Sequence, residues 1–375
     1  MNILVTGGAG FMGSHFLKLL MSKPFETISC VDKLTYAGNR DNIDGLIERD
    51  LSFYQMDIID SRIGRILEDE QIDTIVNFAA ETHVDRSICD PKAFLETDVM
   101  GLFNLVSCSM KAGVKRFIHI STDEVYGPIS ETKMVPDDYL DEDCYGGMHL
   151  VPSEKEIVNE ATETYPLNPT SPYSASKASA DLLLQAYYKT YGFPVIIVRP
   201  CNNYGPNQYP EKLIPMAITR LLQKKKILLH GEGKEVREWI YVEDCVKAIE
   251  RIMLDGKIGE IYNVGSGLKR PNERIIRRVI LFALFPKGYC MAHDEEDVLF
   301  DEWTERLLNR PGNDLRYAIN NEKIHKELFY GDVSYLQTEF EEGLEKMVDW
   351  YRNNPNFWKE VDLQANIYQE GEYLR

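Results

Sequence analysis

A doubly wound parallel α/β sheet with a smaller C-terminal lobe is the fold this sequence predicts, and three observations predict it. The N-terminal half alternates short apolar runs with helical patterns, the runs are continuously apolar, and a glycine-rich turn joins the first run to the first helix. Continuous apolar strands belong to a sheet covered on both faces. Strands alternating with helices pair in parallel, and ligands of such sheets lie at the carboxyl ends of the strands.

The strand-like runs are 2–6, 27–31, 52–56, 74–78, 116–120 and 194–198, with helical patterns between them such as 15–21 and 91–111. Beyond residue 200 the regularity fades. Two further apolar runs, 227–229 and 261–264, and a helix pattern over 340–353 remain. Residues 1–200 are therefore expected to form the sheet domain, with a return segment near 238–265, while 201–237 and 266–375 form the lobe. The stretch 128–170 carries Asp137, Asp138, Asp141, Glu142 and Asp143 with little apolar content, and is read as a solvated acidic flap. His149 within it is read as a loop residue, not a metal ligand.

The chain has 375 residues, 44% hydrophobic and 27% charged, the composition of an ordinary globular protein. A net charge of -18 argues against nucleic acid or anionic membrane as a partner. The run Lys224-Lys225-Lys226 ends a helical pattern and reads as a solvated last turn. No apolar run reaches membrane-spanning length, and the first strand pattern begins at Asn2, leaving no room for a signal peptide. Seven scattered cysteines include no C-x-x-C pair, and Cys30 and Cys245 lie in apolar runs as small hydrophobes. These features lead us to expect a cytoplasmic location and no metal.

Gly7, Gly10 and Gly13 are spaced G-x-x-G-x-x-G, with Phe11 and Met12 opening the first helix. Glycine permits the tight turn and lets backbone N–H groups at a helix N-terminus face a pyrophosphate. Asp32 ends the second strand at the distance expected for a carboxylate that binds both ribose hydroxyls of an adenosine and repels a 2′-phosphate. The cofactor expected is therefore NAD, with Lys33 as the one adjacent cation. Asp57 and Ile58 end the third strand beside the adenine, and Ala79 and Ala80 follow the fourth, where a cofactor lies against backbone.

Tyr173 and Lys177 are four residues apart in "SPYSASKA", one helical turn from each other. An ammonium beside a phenol favours the phenolate. Such a tyrosine takes a proton from a substrate hydroxyl while the carbon's hydride goes to the cofactor. Upstream, "STDEVYG" places Asp123 and Glu124 together at the end of a buried run. Two close carboxylates do not readily ionise together, so the pair supplies one acid and one base. Neighbours on an ideal strand face opposite ways, so the backbone must turn at Thr122 for both to meet one substrate.

A dinucleotide loop followed by Y-x-x-x-K resembles the extended short-chain dehydrogenases/reductases, a Rossmann-type fold. More narrowly, "VDKLTYAGN", "AAETHVDRSI", "STDEVYG", "NNYGPNQYPEKLIP", "REWIYVEDC" and "RPGNDLRYAI" look like nucleotide-sugar 4,6-dehydratases of the dTDP-glucose type. The resemblance implies an internal redox cycle on NAD. Tyr173 deprotonates the 4-hydroxyl as C4 is oxidised, Glu124 acts as base at C5, and Asp123 protonates the departing 6-hydroxyl. The hydride then returns at C6, and Thr122 hydrogen-bonds near the 4-oxygen.

The same resemblance adds Leu34, Thr35, Thr97 and Asn203 to the cofactor contacts, with Thr82 between cofactor and sugar. It assigns Asn202 and Arg237 to the phosphates, and Lys212, Leu213, Leu228, His230, Asn272, Arg310 and Asn313 to the nucleotide end. Close relatives carry Tyr, Asp and His where His230, Asn309 and Asn313 stand, which leaves UDP-, CDP- or GDP-linked hexoses as alternatives to dTDP-glucose. It also implies a homodimer that pairs the helices around 91–111 and 173–191 in a four-helix interface. A nucleotide-sugar 4-epimerase would need Tyr173 but not the acid pair. A decarboxylase would ask for a cationic grip on a sugar carboxylate, and an idle NAD-binding scaffold for neither tyrosine nor acids.

Overall fold

The structure, a computed structural model, describes residues 1–130, 159–285 and 292–361. Most of the expected acidic flap, including its aspartates and His149, lies outside the described residues.

The elements follow in chain order. They begin with β1 (Asn2–Thr6), α1 (Phe11–Leu20), β2 (Thr27–Asp32), β3 (Ser52–Gln55) and β4 (Thr74–Asn77). Next come α2 (Leu102–Ala112), β5 (Arg116–Ile120), α3 (Pro172–Tyr191), β6 (Val195–Pro200) and β7 (Asn202–Tyr204). Then come α4 (Leu213–Leu222), β8 (Ile227–His230), β9 (Val236–Tyr241), α5 (Val242–Asp255) and β10 (Ile261–Val264). The last are β11 (Lys269–Pro271), α6 (Asn272–Leu284), β12 (Thr304–Leu307) and α7 (Phe340–Asn353).

The central sheet has the order β10-β6-β5-β4-β1-β2-β3, and every pairing in it is parallel. Ile3 and Val5 of β1 enter one core with Phe16, Leu17 and Ile252, while Leu4 enters another with Ile75, Phe117 and Leu105. Both faces are thus covered, which is why the strands read as unbroken apolar runs. Strand order reverses at β1, which pairs with both β2 and β4, and such a reversal opens a crevice at the strands' carboxyl ends.

After β6 the chain leaves the sheet for β7, which pairs with β9 in a three-stranded sheet completed by β11. It then returns: α5 packs on α1, and β10 pairs with β6. Helices α4, α6 and α7 enclose a separate core around Ile214, Ile218, Ile275, Val279, Leu344 and Tyr351.

The pattern over 91–111 predicts one helix, but the structure inserts a π-helical stretch, Leu95–Gly101, between Pro91–Phe94 and α2. Asp98 lies in that stretch, buried, and accepts hydrogen bonds from Glu81 N at 3.1 Å and Ser176 Oγ at 2.6 Å. A wide turn at this point aims the carboxylate inward, and such stretches often mark functional sites. Helix α3 starts with a capping box between Ser171 and Ser174 and with Pro172 in its first turn, which sets Tyr173 at the sheet's edge.

Arg199 of β6 is 1% exposed, and its Nε is 2.8 Å from Asp181 Oδ2 of α3. Its guanidinium also lies 4.7 Å from the centre of the Tyr126 ring. Removing one partner of a fully buried ion pair strands the other's charge. Arg199→Met is therefore expected to lower the unfolding free energy by about 3–5 kcal/mol, measured as a drop in the denaturant midpoint.

Candidate active site

Glycine is required in the turn after β1. Gly7 has φ +69°, and a Cβ there would lie 2.6 Å from the Ala79 backbone nitrogen. At Gly13 a Cβ would lie 2.2 Å from the Gly7 carbonyl oxygen, so α1 packs directly on the backbone of the turn after β1. Gly10 differs: its φ is -76°, and a Cβ would meet only the Gly7 oxygen, at 3.3 Å. No side chain caps α1, so its first N–H groups are left for an anion.

Asp32 closes β2 across this turn. Its carboxylate accepts from Ala9 N at 2.9 Å and from Leu34 N at 2.8 Å. Burial pushes its pKa up, and these two N–H groups oppose the push. Lys33 is ion-paired with Asp57 at 2.7 Å, so its charge is partly offset within the cavity. The donor set suits an adenosine dinucleotide with a free 2′-hydroxyl.

A single cavity of about 410 Å³ runs from this cradle across the sheet edge into the lobe. Beside the three glycines it is lined by Phe11, Met12, Thr35, Ile58, Ala79, Ala80 and Thr97, and farther along by Tyr173, Lys177 and Asn203. Leu34 is the exception among the expected cofactor residues. Its side chain packs against a hydrophobic core, while its N–H donates to Asp32.

The acid pair sits at the middle of the cavity. Thr122 is extended and caps a 3₁₀ turn, Asp123–Tyr126, its Oγ1 accepting from Glu124 N at 3.3 Å. The backbone thus turns where the sequence requires, and both carboxylates line one space. Their surroundings differ. Burial, Glu124 and Glu238 push the Asp123 pKa well above the usual carboxylate range. Burial also raises Glu124, but Arg237, Arg310 and Lys212 pull it back. This asymmetry favours the proton on Asp123 and the negative charge on Glu124.

Lys177 donates to the Ile120 carbonyl at 2.7 Å and faces the carboxylates of Asp98 and Asp181. The Tyr173 pKa lies well above the ordinary value because of burial and because Glu124 and Asp98 face it, the reverse of the lowering expected from Lys177. Tyr173 also faces the Thr122 hydroxyl, which works to lower the phenol's pKa. The ammonium is directed at a carbonyl and two carboxylates, so in the protein alone the phenol keeps its proton.

Three cations gather around Glu124 despite the chain's net charge of -18. Lys212 donates to the Thr82 carbonyl at the start of α4, which no side chain caps, with Leu213 as its first residue. Arg237 stacks 4.4 Å from the Tyr317 ring and donates to Asn313 Oδ1 at 3.3 Å. Arg310 pairs with Asp85 at 2.5 Å, and His230 Nε2 lies 3.4 Å from the same carboxylate. Leu228 of β8 lines this end. Asn202 and Asn272 each bury an amide oxygen without a protein partner, as ligand-facing groups do.

Two of the three departures noted in the sequence are bonded to each other. Asn313 Nδ2 donates to Asn309 Oδ1 at 2.7 Å and to Glu235 Oε1 at 3.0 Å. Sequence reasoning missed Asp85, Asp98, Glu235 and Glu238. Asp85 and Glu238 fall inside motifs already quoted, each directly beside an arginine, Arg86 and Arg237. Among the described residues no group of His, Cys, Asp and Glu is placed to hold a metal ion.

A family model described as the NAD dependent epimerase/dehydratase family matches residues 3–265. The dTDP-glucose 4,6-dehydratase of Salmonella typhimurium is 38% identical over 98% of this chain and 97% of its own length. The low-salt glycan biosynthesis protein Agl12 of Haloferax volcanii is 39% identical over 94% of this chain and 98% of its own. Among solved structures, the dTDP-glucose 4,6-dehydratase DesIV double mutant of Streptomyces venezuelae, with NAD bound, has a TM-score of 0.81 at 38% identity. It covers 96% of this chain and 99% of its own.

Gly10→Ala places a methyl group in the anion cradle without backbone strain. It is expected to weaken NAD binding by at least about tenfold, by calorimetric titration, while the melting temperature barely moves. Gly13→Ala, which drives a Cβ into backbone, is expected to lower that temperature as well.

Proposed function

Within the NAD dependent epimerase/dehydratase family, to which this chain belongs, we propose a nucleotide-sugar 4,6-dehydratase that converts dTDP-glucose to dTDP-4-keto-6-deoxyglucose and water. One observation carries the reading: Asp123 and Glu124 face the same cavity as Tyr173 and the cofactor cradle. A 4-epimerase needs the tyrosine but no acid and base for C5 and C6.

NAD, when bound, takes up a hydride from C4 and gives it back at C6. The protein's residues do the rest. Tyr173 receives the proton of the 4-hydroxyl, and Thr122 steadies the 4-oxygen. The 4-ketone acidifies C5–H, which Glu124 removes, its three cationic neighbours favouring the carboxylate against the effect of burial. Asp123, whose surroundings hold its proton, delivers it to the leaving 6-hydroxyl. Arg237, Lys212 and the start of α4 supply positive charge for the pyrophosphate. His230, Asp85 and the Asn309–Asn313 pair shape the nucleotide end.

Purified protein given dTDP-glucose without added reductant should yield a 4-keto-6-deoxy sugar, with deuterium entering at C5 in heavy water. Product lacking that label would sink the role given to Glu124. Asp123→Asn should block elimination after C4 oxidation, so absorbance of the reduced cofactor should build up on the enzyme. The same assay with UDP-, CDP- and GDP-hexoses tests the base.

An acid must be protonated to act, so activity falls as pH rises through the Asp123 pKa. Glu238 is one of the anions that raise it. Glu238→Gln should therefore move the basic limb of the kcat–pH profile to lower pH and leave the acidic limb in place.

A homodimer and a cytoplasmic location complete the reading. Leu95, Met100, Phe103 and Met110 on one side, and Leu182, Tyr188 and Tyr191 of α3 on the other, are exposed, more apolar surface than a lone helix pair carries. Leu184, in contrast, is fully buried in the core. Sedimentation is expected to give twice the chain mass of 43.2 kDa; a monomer at every concentration would refute the dimer.

A further inference from the structure

A second cavity, of about 440 Å³, lies beside the cofactor turn, and its volume is that of a small-molecule site. It is bounded by Lys18 of α1, the segment 39–46, Asn207, and the end of α7 with the 3₁₀ turn that follows, Pro355–Phe357. None of the described residues lines both this cavity and the first. Six of its thirteen lining residues are asparagines. Three of these serve the fold. Asn39 Oδ1 accepts from Asp41 N at 3.0 Å, Asn42 Nδ2 donates to the Ala9 carbonyl at 2.9 Å, and Asn354 Nδ2 donates to the Trp350 carbonyl at 2.8 Å. The side chains of Asn207, Asn353 and Asn356 make no hydrogen bond to a described residue. Asn207 is only 7% exposed, and a side chain that buried ordinarily has a partner. Its amide is left for the cavity.

We propose that this cavity is a binding site for a neutral pyranose sugar, separate from the site of reaction. A primary amide offers two donor hydrogens and an acceptor oxygen, so it meets a sugar hydroxyl in either role. Trp350 and Phe357 supply apolar wall, their rings 4.9 Å apart and crossed at 77°. A flat aromatic face suits the C–H face of a pyranose, and the indole N–H of Trp350, which has no partner among the described residues, adds a donor. Charge points the same way. Lys18 is the one cation of the lining and Asp41 the one anion, so their formal charges cancel. A phosphate-bearing ligand would ask for a surplus of positive charge. An apolar ligand would cover the free amides without bonding them.

The walls are set before a ligand arrives. Asn39 N donates to the Ala9 carbonyl at 3.1 Å, beside the bond from Asn42, and this fixes one wall to the glycine turn. The chain around Asn207 is held from two sides. His15 Nε2 of α1 lies 2.9 Å from the Pro206 carbonyl, and the Tyr351 hydroxyl of α7 donates to the Gln208 carbonyl. A cavity held in this way has little order left to gain on binding, which lowers the cost of filling it. Gly45 adds room, since a Cβ there would meet nothing within 4 Å.

Saturation-transfer NMR on the full chain tests the site, with methyl glucopyranoside as the probe and NAD and dTDP added to fill the first cavity. Wild type should pass saturation to the ring protons of the sugar, to a plateau as sugar is added. Two variants locate the binding. Gly45→Tyr fills the open space, and Asn353→Ala combined with Asn356→Ala removes two free amides from exposed positions. Each should weaken the sugar by at least about tenfold and leave NAD affinity and melting temperature as in wild type. Glucose 1-phosphate should bind no more tightly than the methyl glucoside; tighter binding would overturn the neutral class. Unchanged sugar affinity in the asparagine variant, or no transfer with wild type, would overturn the site. These readouts need no turnover, so their failure is distinct from any failure of the dehydratase reaction.

Discussion

A single guanidinium ties the chemistry to the sheet. Arg199 reaches from β6 to Asp181 on α3 and lies over the ring of Tyr126, which ends the turn that starts at Asp123. Tyr126 is itself held from the far side, its hydroxyl donating to Asn263 Oδ1 of β10 at 2.8 Å. The turn with the acid pair and the helix with Tyr173 and Lys177 are thus braced against one buried cation. Exchange for apolar residues would cost little in fold stability if both charges went together. The pair's value lies in fixing the relative position of three strands and a helix at the place where the reacting groups meet.

Electrostatics inside the cavity run against the charge of the whole chain. An acidic surface repels a nucleotide diphosphate at long range, but water and salt screen that field within about 10 Å. Inside, Lys212, Arg237 and Arg310 act at short range where screening is weak. They do two jobs at once, since the charge that would meet a pyrophosphate also favours the carboxylate form of Glu124 over that of Asp123. Asp85 moderates the set by pairing with Arg310 and approaching His230.

Much of this was legible in the sequence because local patterns report local causes. Unbroken apolar runs such as 116–120 show burial on two faces, and the glycine spacing reports a turn that no side chain fits. The bend at Thr122 follows from two adjacent carboxylates needing one face. What the sequence hid depends on partners far along the chain. Asp98 matters through Ser176, 78 residues away, and Asp85 through Arg310, 225 residues away. Glu238 acts on Asp123 through space, with no spacing to announce it. Leu34 shows that a motif names a position without saying whether its side chain or its backbone faces the site. The direction of the Tyr173 pKa was misread because the Lys177 spacing is visible in one dimension, and the facing acids are not.

The π-helical stretch Leu95–Gly101 has a mechanical meaning of its own. Hydrogen bonds that span one more residue than in an α-helix make it a phase shifter: the segments on either side are rotated out of register with each other. Asp98 and Thr97 can therefore face inward from a helical rod whose continuation shows Phe103 and Met110 to the outside. The two faces are decoupled. Substitutions on the outer face can alter what this surface touches without turning the buried carboxylate, so the two sides of one helical rod answer to separate constraints.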